Sequence, residues 1–146
     1  MTAGQWTFTS AGLTEILNGT IDLTGDFKVG LLQSTSNIST SSTTWAGVTN
    51  EVAAANGYTT GGIAVDLSLA GTNPVELAFV ANPVFAATGG NISARWAALY
   101  QVGGNVLAFY LLDITPADLT ITDGNTYTVD SDGDPNPIFT FVVVTE

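Results

Sequence analysis

The spacing of apolar residues changes once along the chain. Between Thr9 and Gly19, Leu13, Ile16 and Leu17 recur at helical spacing, with Thr9-Ser10 placed to cap the segment. Asn18-Gly19 ends it. A helix of about two turns depends on tertiary packing to persist. Beyond Gly19 the period is two. Phe27-Lys28-Val29-Gly30-Leu31-Leu32 sets Phe27, Val29 and Leu31 on one face of a strand. Gln33 to Thr44 is almost entirely Ser, Thr and Asn, which predicts an exposed loop, and Trp45 follows as its anchor on the body. Asn50 to Ala53 reads as one helical turn and Asn56-Gly57 as a reversal.

Gly61-Gly62 opens a strand from Ile63 to Leu69 with apolar odd positions, the pattern of a half-buried antiparallel strand. Val75 to Val80 alternates again before Asn82-Pro83 breaks the run, and Val84-Phe85 continues as a short strand or bulge. Ile92 to Tyr100 and Val106 to Leu112 flank Gly103-Gly104-Asn105, a hairpin pattern. Both runs are continuously apolar, which places them centrally with both faces covered. Leu119-Thr120-Ile121 and Tyr127-Thr128-Val129 flank Asp123-Gly124-Asn125 as a second hairpin, and Ile138 to Val144 is the final strand. Short strands with turns every 8–12 residues or so predict a mainly β fold. The expected architecture is an antiparallel β-sandwich or barrel, jelly-roll-like, with one short N-terminal helix. No internal repeat points to a propeller or β-helix.

At 146 residues the chain reads as one domain, 1–146, with residues 1–8 as a possible N-terminal arm. Only 10% of residues are charged while 45% are hydrophobic, and mean hydropathy is +0.33, high for a soluble domain. Two readings follow. Either a well-buried β core carries a Thr-rich skin, or a partner covers part of the apolar surplus, as in permanent assemblies. Lys28 and Arg95 are the only bases against 13 acids, and the net charge of -11 disfavours nucleic acid and anionic membrane surfaces as partners. No stretch reaches the roughly 18 apolar residues of a membrane span. The start, Met1 to Trp6, lacks a basic region followed by an apolar run, so no secretory signal is expected.

Cysteine and histidine are absent, which excludes disulfides, zinc–thiolate sites, His-ligated metals and Ser-His or Cys-His nucleophiles. There is no Walker loop, GxGxxG or GxSxG. Paired carboxylates cannot be counted out by number, but no acid stands in an aromatic-lined motif. The expectation is a protein that is not an enzyme and holds no cofactor. Asp130-Ser131-Asp132-Gly133-Asp134 is the sharpest cluster. Alternate aspartates at a Gly turn gather oxygens for Ca²⁺ or simply hold a solvated turn, and the EF-hand spacing is not met. Arg95, inside an apolar run, is expected to pair with a carboxylate of its own chain such as Asp113 or Glu76, in preference to an acid of a neighbouring subunit.

Several segments together resemble a group of small tailed-bacteriophage virion proteins. They are Leu17 to Leu23, Phe27 to Leu32, Thr49 to Val52, Gly57 to Gly62, Ile92 to Tyr100 and Ile121 to Val129. The likeness spans most of the chain and consists of turn and strand signatures without chemistry. It implies a β-rich virion component made in the bacterial host cytoplasm. The acid balance then favours the outer face of the head, away from packaged DNA, as a decoration or cement protein bound to the major capsid protein and other virion proteins. A homo-oligomer, with a trimer favoured, would cover the apolar surplus. Trp6 and Phe8 of the arm, and Trp45 of the loop, are the candidate partner contacts. A tail, baseplate or fibre component touching the host, or a carbohydrate-binding β-sandwich, are the alternatives.

Overall fold

The two continuously apolar runs occupy the middle of the largest sheet, and both faces of that sheet are covered. The computed structural model describes residues 3–115, 117–130, 138–142 and 144. The strands and helix, in chain order, are β1 (Thr7–Phe8), α1 (Ser10–Asn18), β2 (Phe27–Leu32), β3 (Ile63–Val65), β4 (Leu67–Ala70), β5 (Val75–Phe79) and β6 (Val84–Ala86). There follow β7 (Ile92–Ala94), β8 (Trp96–Gln101), β9 (Val106–Leu111), β10 (Leu119–Ile121), β11 (Thr126–Thr128) and β12 (Phe139–Phe141). A five-stranded sheet has the order β1-β9-β8-β2-β3, a three-stranded sheet the order β12-β5-β4, and β10-β7 and β11-β6 form pairs. All pairings are antiparallel. The fold is mainly β and sandwich-like, with one short helix near the N-terminus, and it does not close into a barrel.

The main core lies between the five-stranded sheet and the smaller sheets. Val29, Leu31, Leu99, Leu107 and Tyr110 meet Leu77, Phe79, Phe85, Ile92 and Ile121 there. The opposite face of the five-stranded sheet carries Leu32, Ala98, Tyr100, Val106 and Phe109. Residues of the Ser/Thr loop cover it: Ile38 is buried there, with Trp45 and Val48 packed against the cluster. Burial on two faces is why β8 and β9 need apolar side chains at successive positions rather than alternate ones.

The helix starts and stops where its sequence indicates. Thr9 is the N-cap; its Oγ1 accepts from the Gly12 N–H at 2.9 Å and donates to the Val106 carbonyl. Gly19 closes the other end at φ 66°, a left-handed position that a residue without Cβ adopts freely. Gly12 is the buried residue of α1, and a Cβ there would stand 2.5 Å from the Leu107 carbonyl oxygen. The helix therefore docks through its backbone against β9. Its apolar stripe is turned elsewhere: Leu13 is exposed, Leu17 is 66% exposed, and Ile16 is half-buried.

Four local expectations are corrected. The runs from Ile63 and from Ile92 each divide into two strands, at Asp66 and at Arg95, and each pair of strands belongs to two different sheets. Alternation survives the break at Asp66, since Val65 and Leu67 are both buried around it. The segments flanking Asp123-Gly124-Asn125 keep their turn, with Asn125 N–H on the Thr122 carbonyl at 2.9 Å, but are not a hairpin. Instead β10 pairs with β7, and β11 with β6. Asn50 to Ala53 is not a helical turn; Asn50 has φ 57° and Glu51 bridges Leu32 as a strand residue. Asn56-Gly57 does reverse the chain, with φ 55° and 90° and Tyr58 N–H on the Ala55 carbonyl, the geometry of a type I′ turn.

Arg95 does pair within its own chain, and the carboxylate is Asp118 (Nε to Oδ1 2.8 Å), not the examples Asp113 or Glu76. The register explains the choice. Leu119 stands opposite Ala94 in the antiparallel β10–β7 pair, so the next residues outward are Asp118 and Arg95.

Candidate functional site

The candidate contact residues lie in three different settings. Residues 4–8 are not a loose arm. Gly4 N–H donates to the Leu111 carbonyl at 2.7 Å, and Thr7 and Phe8 pair with Phe109 and Ala108. Trp6 is only 9% exposed. Its ring packs on Tyr110 at 4.7 Å and edge-on to Phe79 at 6.0 Å, and its Nε1 donates to the Asp130 carbonyl at 3.4 Å. Phe8 meets Phe139 edge-to-face at 5.2 Å. Within one copy these two rings pack on the chain's own core and sheet edge.

Trp45 is half-buried and lies flat on Tyr100, centroids 4.0 Å apart and planes at 3°. Gly30 makes room for it: a Cβ at Gly30 would stand 2.5 Å from the indole Cη2. The indole thus pins the Ser/Thr loop onto the sheet, the anchor role expected of it. Behind it is a polar network. Tyr100 Oη donates to the Gly61 carbonyl at 2.7 Å, and Glu51 Oε1 accepts from Tyr58 Oη at 2.7 Å and from the Gly61 N–H. Tyr58 Oη in turn accepts from the Leu31 N–H at 3.0 Å. Burial pushes the Tyr100 hydroxyl up to about 12 and raises Tyr58 further. Both phenols are held in the neutral form, with their hydroxyls committed to the hydrogen bonds of this network. Sequence reasoning missed this network, because Leu31 and Tyr100 are distant in the chain from Glu51, Tyr58 and Gly61.

Of the aspartate cluster, Asp130 accepts from Asn82 Nδ2 at 3.0 Å, while Asp132 and Asp134 lie outside the described residues. Among the described residues no group of three or more acids is placed to hold a metal ion. Among the same residues no helix is long and apolar enough to cross a membrane.

Two concavities among the described residues bear on contact surfaces. The first is a groove of about 390 Å³ lined by Ile16, Ile21, Leu23, Leu69, Val75, Leu77, Phe139 and Phe141. It forms where the inner face of the β12-β5-β4 sheet runs past the end of the core. Leu77 is buried at its floor, whereas Leu69 is 60% and Phe141 50% exposed at its lip. The stripe of α1 continues this apolar surface through Ile16. Nothing in the alternating pattern of β4 and β5 distinguishes the end that outruns the core from the end inside it, so the groove was not legible in sequence. The second concavity, about 300 Å³, is polar and lies in the Ser/Thr loop, lined by Asn37, Ser39, Ser41, Ser42, Thr43, Thr44 and Gly47. Comparison of this chain with family models, with curated proteins and with solved structures finds no match.

Proposed function

We propose that this chain is a structural subunit of a tailed-bacteriophage particle, and within it a decoration protein on the outer face of the head that bridges major capsid subunits. The observation that carries the reading is the open apolar groove, with the exposed stripe of α1 beside it, on a body of net charge -11. A contiguous apolar surface is costly in water and marks a contact surface. An acidic body is repelled by DNA and suits the outside of a shell that encloses it. The resemblance of the turn and strand segments to small virion proteins supplies the biological setting.

The mechanism is mass action. A subunit that binds the assembled lattice, and not its dissociated parts, stabilises the lattice in proportion to the logarithm of its concentration over Kd. Many weak contacts in symmetric array then resist the outward pressure of packaged DNA. Quantitative mass spectrometry of purified particles tests this. A decoration role gives copy numbers on the order of hundreds per particle, and a tail component about three to eighteen. Absence from particles removes the reading.

One observation favours a second reading. The hydroxyl-lined concavity at residues 37–47 offers the alternating donors and acceptors that a sugar ring presents in return. In that reading the loop is the contact surface of a tail or fibre component, or of a carbohydrate-binding module. Glycan-array binding by the isolated chain, lost on replacing Ser41 and Ser42 with alanine, would support it over the decoration role.

A further inference from the structure

We infer that the groove beside α1 takes apolar side chains from a cationic segment of a partner protein. The inference names the partner chemistry for the coat-subunit reading and rests on it for the setting only; the geometry stands on its own.

The shape comes first. The groove is lined by eight apolar residues and open at the end of the sandwich, with Leu69 and Phe141 at the lip and Leu77 at the floor. Such a slot accepts an aliphatic or aromatic side chain entering from outside. The charge comes second. The body carries a net charge of -11, and one exposed acid, Asp22, stands between the lining residues Ile21 and Leu23; Glu15 is turned to Asn105 and Glu76 to the opposite face of β5. Asp22 is exposed, and its Oδ1 accepts from the Thr24 N–H and hydroxyl at 2.9 and 2.6 Å, which fixes an anionic carboxylate beside the lining.

These two features select the occupant. A second copy of this chain brings another net charge of -11, and of its two bases Arg95 is already paired with Asp118, while Lys28 lies by Gly61 in a different part of the sheet. Like charge across the contact therefore opposes self-association through this face. A partner segment with Leu, Ile or Phe flanked by Lys or Arg satisfies the apolar slot, the Asp22 carboxylate at its side and the net charge of -11, whose long-range field speeds the encounter.

Fluorescence polarisation with labelled synthetic peptides tests this on the full chain. The probes are a peptide alternating lysine and leucine, one alternating glutamate and leucine, and one alternating lysine and serine. The lysine–leucine peptide is expected to bind at least about tenfold more tightly than either control, with affinity falling several-fold as salt rises. Leu69→Ser and Phe141→Ser each weaken it by about tenfold, whereas Val80→Ser, equally exposed but outside the groove, leaves it unchanged. Equal binding of the glutamate–leucine peptide, or of the lysine–serine peptide, overturns the proposal. So does binding indifferent to the two groove variants. Sedimentation that shows a wild-type dimer dissolved by Leu69→Ser overturns it in favour of a second copy. Particle stoichiometry decides the coat-subunit reading separately, so either can fail without the other.

Discussion

Two faces of this molecule are covered in opposite ways. The outer face of the five-stranded sheet is sealed by the loop from Gln33 to Val48, which is almost devoid of apolar residues. Ile38, Trp45 and Val48 suffice, because the sheet beneath supplies Leu32, Val106 and Phe109, and Gly30 lets the indole lie flat. The inner face of the β12-β5-β4 sheet has a neighbouring helix rich in apolar residues, yet stays open at its end. The helix is committed elsewhere by the close approach of Gly12 to Leu107, which turns Leu13 and Leu17 outward. Backbone approach, not the hydrophobicity of a segment, decides which surface is covered here.

The largest loss is expected in the main core, which lies beneath both faces. Trp6→Ala removes an indole held between Tyr110 and Phe79 and is expected to cost about 3–5 kcal/mol of stability in urea titration. A wild-type melt would restore residues 4–8 to a detachable arm. Next comes Gly30→Ala. The added methyl meets the Trp45 ring, so the loop must shift, with a cost of about 1–3 kcal/mol and a red shift of tryptophan emission. Unchanged emission would mean that the stack on Tyr100 does not hold the loop.

Tyr100→Phe leaves the Gly61 carbonyl without its phenol donor and is expected to cost about 1–2 kcal/mol. The pH dependence sharpens it. Burial raises the folded-state pKa of Tyr100 to about 12, above the unfolded value near 10, so the fold favours the neutral phenol. That stability is fully present below about pH 10 and is lost as pH rises through the folded value. Thermal melts between pH 10 and 12 should fall less steeply for Tyr100→Phe than for the wild type, with the residual slope due to Tyr58, Tyr110 and Tyr127, also raised by burial. Smallest of all, Leu17→Ser on the open side should change stability by less than about 0.5 kcal/mol, because the leucine is already in water. A large loss there would show that the stripe is packed after all.

Much of this architecture was written locally. Thr9 and Gly19 mark the helix ends because caps act on neighbouring backbone groups. The unbroken apolar runs of β8 and β9 mark a sheet covered on both sides, and Asn56-Gly57 marks its turn through two left-handed residues. What escaped reading depends on distant partners. Asp66 and Arg95 look like ordinary polar positions inside strands, and only the competing sheets make them points of transfer. The Asp123-Gly124-Asn125 turn has hairpin residues, but its flanking strands find better-placed partners in β7 and β6. Trp6 near a terminus carries no local sign that Tyr110 and Phe79 will enclose it. The groove depends on where one sheet outruns another, a property of no single segment.

The transfers at Asp66 and Arg95 have a mechanical corollary. Ile63 to Ala70 joins the five-stranded sheet to the β12-β5-β4 sheet, and Ile92 to Gln101 joins the β10-β7 pair to the five-stranded sheet, each without an intervening loop. The layers are stitched by continuous covalent chain at two places. Sliding one layer over the other must tear ladder bonds on both sides of a stitch at once, so shear loads are shared across sheets rather than unzipping one strand at a time.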